Sequence, residues 1–214
     1  MNLLVEKAFE SCKTGVFTYS DALIWLGRTR NSVRSMIMRA IDSGDILHIR
    51  RGLYCLAQKY NRRGLSRNML ANLIYGPSYI SFETALAYHG WIPEAVHSVS
   101  SVSIGRARVF ETPVGYFDYV QVRQYPLLAG VIRVSSHEDA MGSFYIAKPL
   151  KAVADYVAAR GLDWTGVEPL EESLRIDEDE LQGLESRDFD ELEGVYKSAR
   201  ARRLLAGLRK ELGK

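Results

Sequence analysis

The chain has 214 residues, 47% of them hydrophobic and 25% charged, a composition ordinary for a globular protein with one large core or two small ones. It contains no run of eighteen apolar residues and no basic-then-apolar leader, which argues against a transmembrane or secreted chain and predicts a cytoplasmic one. The formal net charge is only +2, but it is a cancellation: residues 1–68 carry +7, residues 69–162 are neutral, residues 163–193 carry −11 and residues 195–214 carry +6.

From Asn2 to Cys12 the apolar residues Leu4, Val5, Ala8, Phe9 and Cys12 recur at spacings of three and four, one face of a first helix. Gly15 ends it, and Val16-Phe17-Thr18 reads as a short extended piece. Ser20 is expected as the N-cap of a short second helix through Ala22, Leu23, Trp25 and Leu26, with Asp21 in its first turn and Gly27 as the following turn. The third helix is expected from Thr29–Asn31 to Ser43, with Gly44 as its C′ residue. Val33, Met36, Ile37, Ala40 and Ile41 form its inward stripe, and Asn31, Arg34, Ser35, Met38 and Arg39 the opposite one.

A short helix, a glycine turn and a helix with a basic outer face is the helix-turn-helix pattern, whose second helix fits the major groove. Behind it, Ile46–Ile49 and Leu53–Leu56 are two β-type runs joined by Arg50-Arg51-Gly52, a hairpin in the position of a wing. The expected DNA-binding residues are therefore Arg28, Thr29, Arg30, Asn31, Ser32, Arg34, Ser35 and Arg39 on the turn and helix, with Arg50 and Arg51 on the wing. Arginine can fork to guanine, asparagine can pair with adenine, and serine reaches bases or phosphate. The competing reading is a solvated basic face or a protein-docking module. Against it, residues 28–67 hold ten bases and only Asp42 and Asp45 as acids, all beside the elements that would touch DNA.

Residues 57–68 are polar and basic and lead into a helix at Ser66–Ile74. A helix at Phe82–His89, capped by Ser81 and closed by Gly90, follows Tyr79-Ile80. From Val96 to Arg133 the pattern alternates with period two and predicts antiparallel strands, with further strands at Gly130–Val134 and Ser143–Ile146. Pro149 opens a helix whose inward residues are Leu150, Val153, Ala154, Val157 and Ala158, and Gly161 ends it. The remainder reads as an acidic helical stretch over 168–193 and a basic last helix carrying Leu204, Leu205, Leu208 and Leu212. The fold class is thus α+β: a winged helix-turn-helix with connecting helix over 1–75, then a mixed domain over 76–214 with antiparallel strands and C-terminal helices.

A catalytic or metal constellation is not evident, so neither an enzyme nor a cofactor is expected. His89 reads as a packed or capping histidine, and His48, His97 and His137 lack acids at ligand spacing. Glu83 and Glu94 read as solvent-facing carboxylates, and Asp177–Glu180 as a solvated helix start. Cys12 and Cys55 have no metal or disulfide spacing. The basic tail over 197–210 either pairs with the acidic stretch, the reading preferred, or forms a second nucleic-acid contact.

Gly52-Leu53-Tyr54, then Ser81–Gly90 (SFETALAYHG), Ile92-Pro93-Glu94 and Ala147–Asp155 (AKPLKAVAD) occur in that order. The series resembles the AbiEi family of antitoxins from bacterial type IV toxin–antitoxin and abortive-infection systems, over roughly Val16 to Gly161. Two positions depart from the family pattern: Lys148 replaces the usual threonine or serine before the proline, and Leu150 an acidic residue after it. The resemblance implies an N-terminal winged helix that binds inverted repeats upstream of its own operon and represses it. It also implies a C-terminal domain that counteracts a nucleotidyltransferase-like toxin without a stable complex, the protein acting as a monomer or dimer on DNA. The alternative is a stand-alone regulator whose C-terminal domain senses a ligand or a protein.

Overall fold

The computed structural model describes residues 3–60, 64–135 and 142–214. Residues Asn2, Asn61–Arg63 and His137, which enter the sequence expectations, lie outside the described residues. The chain is α+β, and its apolar residues divide into two clusters joined by a small sheet.

The first cluster is built by α1 (Leu3–Ser11), α2 (Tyr19–Leu26) and α3 (Arg30–Asp42). Leu4, Val5 and Ala8 of α1 meet Ala22 of α2 and Val33, Met36, Ile37 and Ala40 of α3. Phe9, expected inside, is 60% exposed, because its position on α1 points past the other two helices. The start of α2 also differs from the expected Ser20 cap. Thr18 is the N-cap, its hydroxyl accepting from the Asp21 N–H at 3.2 Å, while Asp21 Oδ2 accepts from the Thr18 N–H at 2.7 Å. This reciprocal capping box begins the helix two residues earlier than a cap at Ser20 would.

A three-stranded antiparallel sheet lies under these helices in the order β1 (Val16–Thr18), β3 (Leu53–Leu56), β2 (Ile46–Arg50). Register pairs Phe17 with Tyr54 and Tyr54 with His48, and Val16 with Cys55 and Cys55 with Leu47. Directly opposed side chains share a face. The Phe17, Ile46 and Leu56 side packs on the helices, whereas Val16, Ile49, Leu53 and Cys55 pack into the second cluster. Both faces of this small sheet are therefore buried against apolar neighbours.

The second cluster surrounds a six-stranded mixed sheet. Its strands are β4 (Ser78–Ile80), β5 (Val99–Ser103), β6 (Arg108–Thr112), β7 (Gly115–Gln121), β8 (Val131–Ser135) and β9 (Ser143–Ala147), in the order β6-β7-β5-β4-β9-β8. The expectation of antiparallel strands holds for β6/β7, β4/β5 and β8/β9, but β5/β7 and β4/β9 are parallel. Alternation fixes which face a side chain takes and is blind to strand direction. Here β7 lies between β5 and β6, so the β6–β7 hairpin puts β7 parallel to β5.

Helix α4 (Arg67–Ile74) covers one face of this sheet, and α5 (Phe82–Tyr88) with α6 (Pro149–Arg160) the other. Two hydroxyls define the sides: Tyr119 on β7 donates to the Ala71 carbonyl of α4 at 2.5 Å, and Tyr79 on β4 donates to Asp155 of α6 at 2.8 Å. Outside α6 lie α7 (Glu168–Leu174), α8 (Glu178–Gln182), α9 (Ser186–Asp190) and α10 (Ala199–Glu211). The chain between α9 and α10 joins the sheet side through backbone bonds from Tyr125 N–H to the Val195 carbonyl and from Lys197 N–H to the Arg123 carbonyl.

At this junction sits a fully buried polar cluster that the sequence pattern did not reveal. Lys151 and Asp155, one helical turn apart on α6, are both 0% exposed and pair at 3.1 Å. Asp155 Oδ1 also accepts from the Tyr196 hydroxyl at 2.7 Å, and its Oδ2 accepts from Tyr79 and from Ser81 at 2.7 Å. Lys151 Nζ further donates to Tyr196 at 2.9 Å and to the Gln124 side-chain carbonyl. Ser81 stands at the N-cap of α5, as expected, but its hydroxyl is committed to Asp155 and makes no cap bond.

No helix among the described residues is long and apolar enough to cross a membrane.

Candidate nucleic-acid interface

Helix α3 starts where its sequence requires. Thr29 is extended and its Oγ1 accepts from the Ser32 N–H at 3.4 Å, and Gly27 before it holds a left-handed φ of 57° that closes α2. The turn is therefore only Gly27-Arg28-Thr29, and the positive N-terminal end of α3 opens at the surface. Arg28, Thr29, Arg30, Asn31, Arg34, Ser35, Met38 and Arg39 are all exposed, and Ser32 is half-buried. Because residues three and four apart are neighbours on a helix, Arg30, Asn31, Arg34, Ser35 and Met38 form one continuous outward stripe. Arg39 lies about 13 Å along the axis from Arg30 and donates through Nε to the Ser35 carbonyl at 3.2 Å. Thr29 is exposed but committed as the cap.

The two hairpin arginines part company. Arg51 is exposed at the turn beside Gly52, whose φ of 77° makes the turn possible. Arg50 folds back: its Nη2 donates to the Leu73 carbonyl in the last turn of α4 at 3.1 Å, and its Nη1 to the Arg51 carbonyl at 3.2 Å. A β-bulge between His48 and Arg50 shifts the register and turns Arg50 toward α4. Arg50 thus ties the hairpin to the larger unit, and Arg51 alone of the pair is presented outward.

Several further groups border the same surface. Tyr19, the first residue of α2, donates its hydroxyl to the Arg30 carbonyl at 3.0 Å. Tyr54 faces the helices from β3, half-buried, with the exposed His48 ring tilted beside it at 5.4 Å between centroids. Burial, together with the neighbouring Tyr19, pushes the Tyr54 phenol above its ordinary range, and the Arg34 charge opposes that shift. In the larger unit, β6, which carries the exposed Arg108, runs in contact with β2. Arg108 also lies 5.5 Å over the Tyr75 ring. Alternation along β3, with Leu53 and Cys55 inward, was the available signal for Tyr54. Nothing local in the sequence brings β6, with Arg108, to the hairpin strand β2.

Of the acidic groups of this unit, Asp42 is exposed at the end of α3, whereas Asp21 and Asp45 are occupied. Asp21 is committed to the Thr18 cap. Asp45 accepts from Lys59 at 2.5 Å, from Ser43 at 2.7 Å and from Tyr60 at 2.8 Å, which hold its carboxyl down to about 2.

The other groups singled out in the sequence lie in the larger unit. His89 Nε2 meets the Ala147 carbonyl at 2.9 Å, and burial lowers its basicity. Glu83 pairs with Arg160 at 2.6 Å and Glu94 with Arg175 at 3.3 Å. A cleft of about 440 Å³ lies between these two pairs, with Tyr156 and Ser100 in its walls. Cys12 and Cys55 are free thiols. Among the described residues no group of three or more His, Cys, Asp or Glu gathers as a metal site would require. Compared with protein-family models and with curated proteins, the chain matches none.

Proposed function

We propose that the N-terminal unit is a winged helix-turn-helix that binds double-stranded DNA, with α3 as the recognition helix and the β2–β3 hairpin as the wing. The observation that carries this reading is the stripe Arg30-Asn31-Arg34-Ser35 on α3, exposed, in no ion pair among the described residues, and open at the helix N-terminus. Cation and amide side chains at that end are suited to base edges, and Arg51 at the hairpin tip is suited to a phosphate. On the further strength of the AbiEi resemblance, the protein is proposed to repress its own operon by binding inverted repeats. Its larger unit would counteract a nucleotidyltransferase-like toxin without holding it in a stable complex.

The test has two arms. Mobility-shift titrations with the DNA upstream of the coding sequence are expected to show that Arg34→Ala or Asn31→Ala costs about 1–3 kcal/mol and relaxes specificity. Arg51→Ala is expected to weaken operator and random duplex alike and to lower the salt slope by about 0.9. Equal losses on both duplexes for every substitution would remove the recognition-helix assignment. In the second arm, a toxin with nucleotidyltransferase motifs encoded alongside is co-expressed. Failure of the full chain to restore growth would remove the antitoxin assignment and leave DNA binding intact.

A further inference from the structure

The Arg51-Gly52 turn is held from two sides. On the side of the helices, the Gly52 carbonyl accepts from the Tyr19 N–H at the start of α2 at 3.0 Å. On the side of the larger unit, Arg50 spans the gap. Its Nη1 donates to the Arg51 carbonyl at 3.2 Å and its Nη2 to the Leu73 carbonyl at 3.1 Å. The last four carbonyls of a helix lack an intrahelical partner, and a cation is favoured at that end. Helix α4 ends at Ile74 with Tyr75 extended, so its closing carbonyls are satisfied from outside. Tyr119 takes that of Ala71, and Arg50 takes that of Leu73. The helix is itself fixed to the larger unit: Asn72 Oδ1 accepts from the Tyr145 N–H of β9 at 2.6 Å, and Arg67 Nη2 donates to the His97 carbonyl at 2.5 Å. One guanidinium thus connects the backbone of the outward-facing Arg51 to a helix end that the larger unit holds in place.

We propose that Arg50 is the positioning residue of the wing: its guanidinium braces the Arg51 turn against the end of α4, so that the larger unit sets where Arg51 meets a DNA phosphate. This rests on the DNA-binding reading above and concerns a contact that Arg51 makes and Arg50 does not. The hairpin strands stay seated without the brace, because Ile49 and Leu53 pack into the larger unit's apolar cluster. What Arg50 adds is the direction of the turn. A planar fork holds two carbonyls at once in a fixed geometry, which a lysine ammonium on its flexible stem does not reproduce. The Arg50 Nε is buried and has no hydrogen-bond partner among the described residues, a cost that the two Nη bonds offset. Turned inward in this way, Arg50 leaves the phosphate to Arg51.

Fluorescence anisotropy of the full chain with a random duplex of about 30 base pairs, repeated across a salt series, counts the phosphates held. The variants are Arg50→Ala, Arg50→Lys, Arg51→Ala and the double variant Arg50→Ala/Arg51→Ala. Arg51→Ala is expected to lower the slope by about 0.9, one phosphate. Arg50→Ala should lower it by about the same amount, because the turn no longer holds Arg51 in place. The double variant should lose about 0.9 in all, since both substitutions remove one and the same contact. Arg50→Lys should behave as Arg50→Ala does, although the charge is kept. Thermal unfolding of each variant accompanies the titrations: a merely structural role would lower the midpoint and leave the slope of the folded protein unchanged. A loss of about 1.8 in the double variant would mean that Arg50 holds a phosphate of its own, and it overturns the proposal. An unchanged slope in Arg50→Ala, Arg50→Lys or Arg51→Ala overturns it as well. In each of these cases the DNA-binding reading stands, whereas absence of binding by the unmodified chain overturns both.

Discussion

Asp155 is the acceptor on which the larger unit converges. Both its oxygens are used twice: Oδ1 by Lys151 and Tyr196, Oδ2 by Tyr79 and Ser81. The four donors come from α6 itself, from β4, from the residue that caps α5 and from the chain leading into α10. Replacing Asp155 by alanine leaves a buried ammonium with no counter-ion and three hydroxyls without their acceptor. Breaking a buried pair from one side costs about 3–5 kcal/mol. A domain of this size is stable by about 5–15 kcal/mol, so the variant should retain a fraction of that. Each kcal/mol corresponds to about 2–4 °C in midpoint, which puts the expected drop at about 6–20 °C. Circular dichroism during urea and thermal unfolding reads it directly. The companion variant Lys151→Met/Asp155→Leu removes both charges and should recover part of the loss, since an apolar replacement of a buried pair is often neutral or better. A midpoint shift below about 3 °C for Asp155→Ala would refute the argument that this carboxylate is paired as described.

Three other perturbations follow from the same geometry. Burial pushes the Cys55 thiol up to about 12, so the folded chain keeps a proton that the unfolded chain loses near pH 9. Stability from this group is complete below pH 9 and declines toward pH 12, and Cys55→Ala should flatten that alkaline limb in pH-dependent unfolding. Burial lowers His89 below its ordinary 6.5, so the unfolded state takes the proton first and stability falls as pH drops through that value; His89→Gln should remove this step from the acid limb. Thr18→Ala removes the hydroxyl that accepts from the Asp21 N–H, leaves the backbone bond from residue 18 to Asp21 in place, and should cost about 1 kcal/mol in urea unfolding.

Much of the N-terminal unit was legible because its signals are local. Thr29 and Gly44 bracket α3, the spacing of Val33, Met36, Ile37 and Ala40 gives its buried stripe, and Arg51-Gly52 gives the turn. The errors were also local. Ser20 and Thr18 are both plausible caps, and only the reciprocal bond with Asp21 decides for Thr18. Arg50 and Arg51 are equivalent in sequence, and the bulge before Arg50, which depends on where α4 ends, separates them. The larger unit was less legible because its decisive pairings span long stretches of chain. Lys151 and Asp155 look like exposed i,i+4 charges on α6 until Tyr79, Gln124 and Tyr196 close over them. Strand direction in β5/β7 and β4/β9 likewise depends on contacts that alternation does not encode.

In the basic tail the structure shows the ion pairs that one of the two sequence readings expects. Arg200 and Arg203 meet Asp163 at 3.0 and 3.5 Å, Arg209 meets Asp190 at 2.8 Å, and Arg202 donates to the carbonyls of Tyr196 and Lys197. Such exposed pairs each stabilise by only about 0–1 kcal/mol, so they do not hold the fold together. Their effect is on the field: each of these four arginines has a carboxylate or carbonyl beside it, and an approaching phosphate meets both signs there. A truncation before Tyr196 would not test this, because it removes the hydroxyl that Lys151 and Asp155 share. The suitable variant is Arg200→Ala/Arg203→Ala/Arg209→Ala in the full chain. Its salt slope on random duplex should equal that of the unmodified protein, whereas a second contact through all three arginines would lower it by about 3. A decrease of that size would mean that α10 turns its cations away from Asp163 and Asp190 toward nucleic acid.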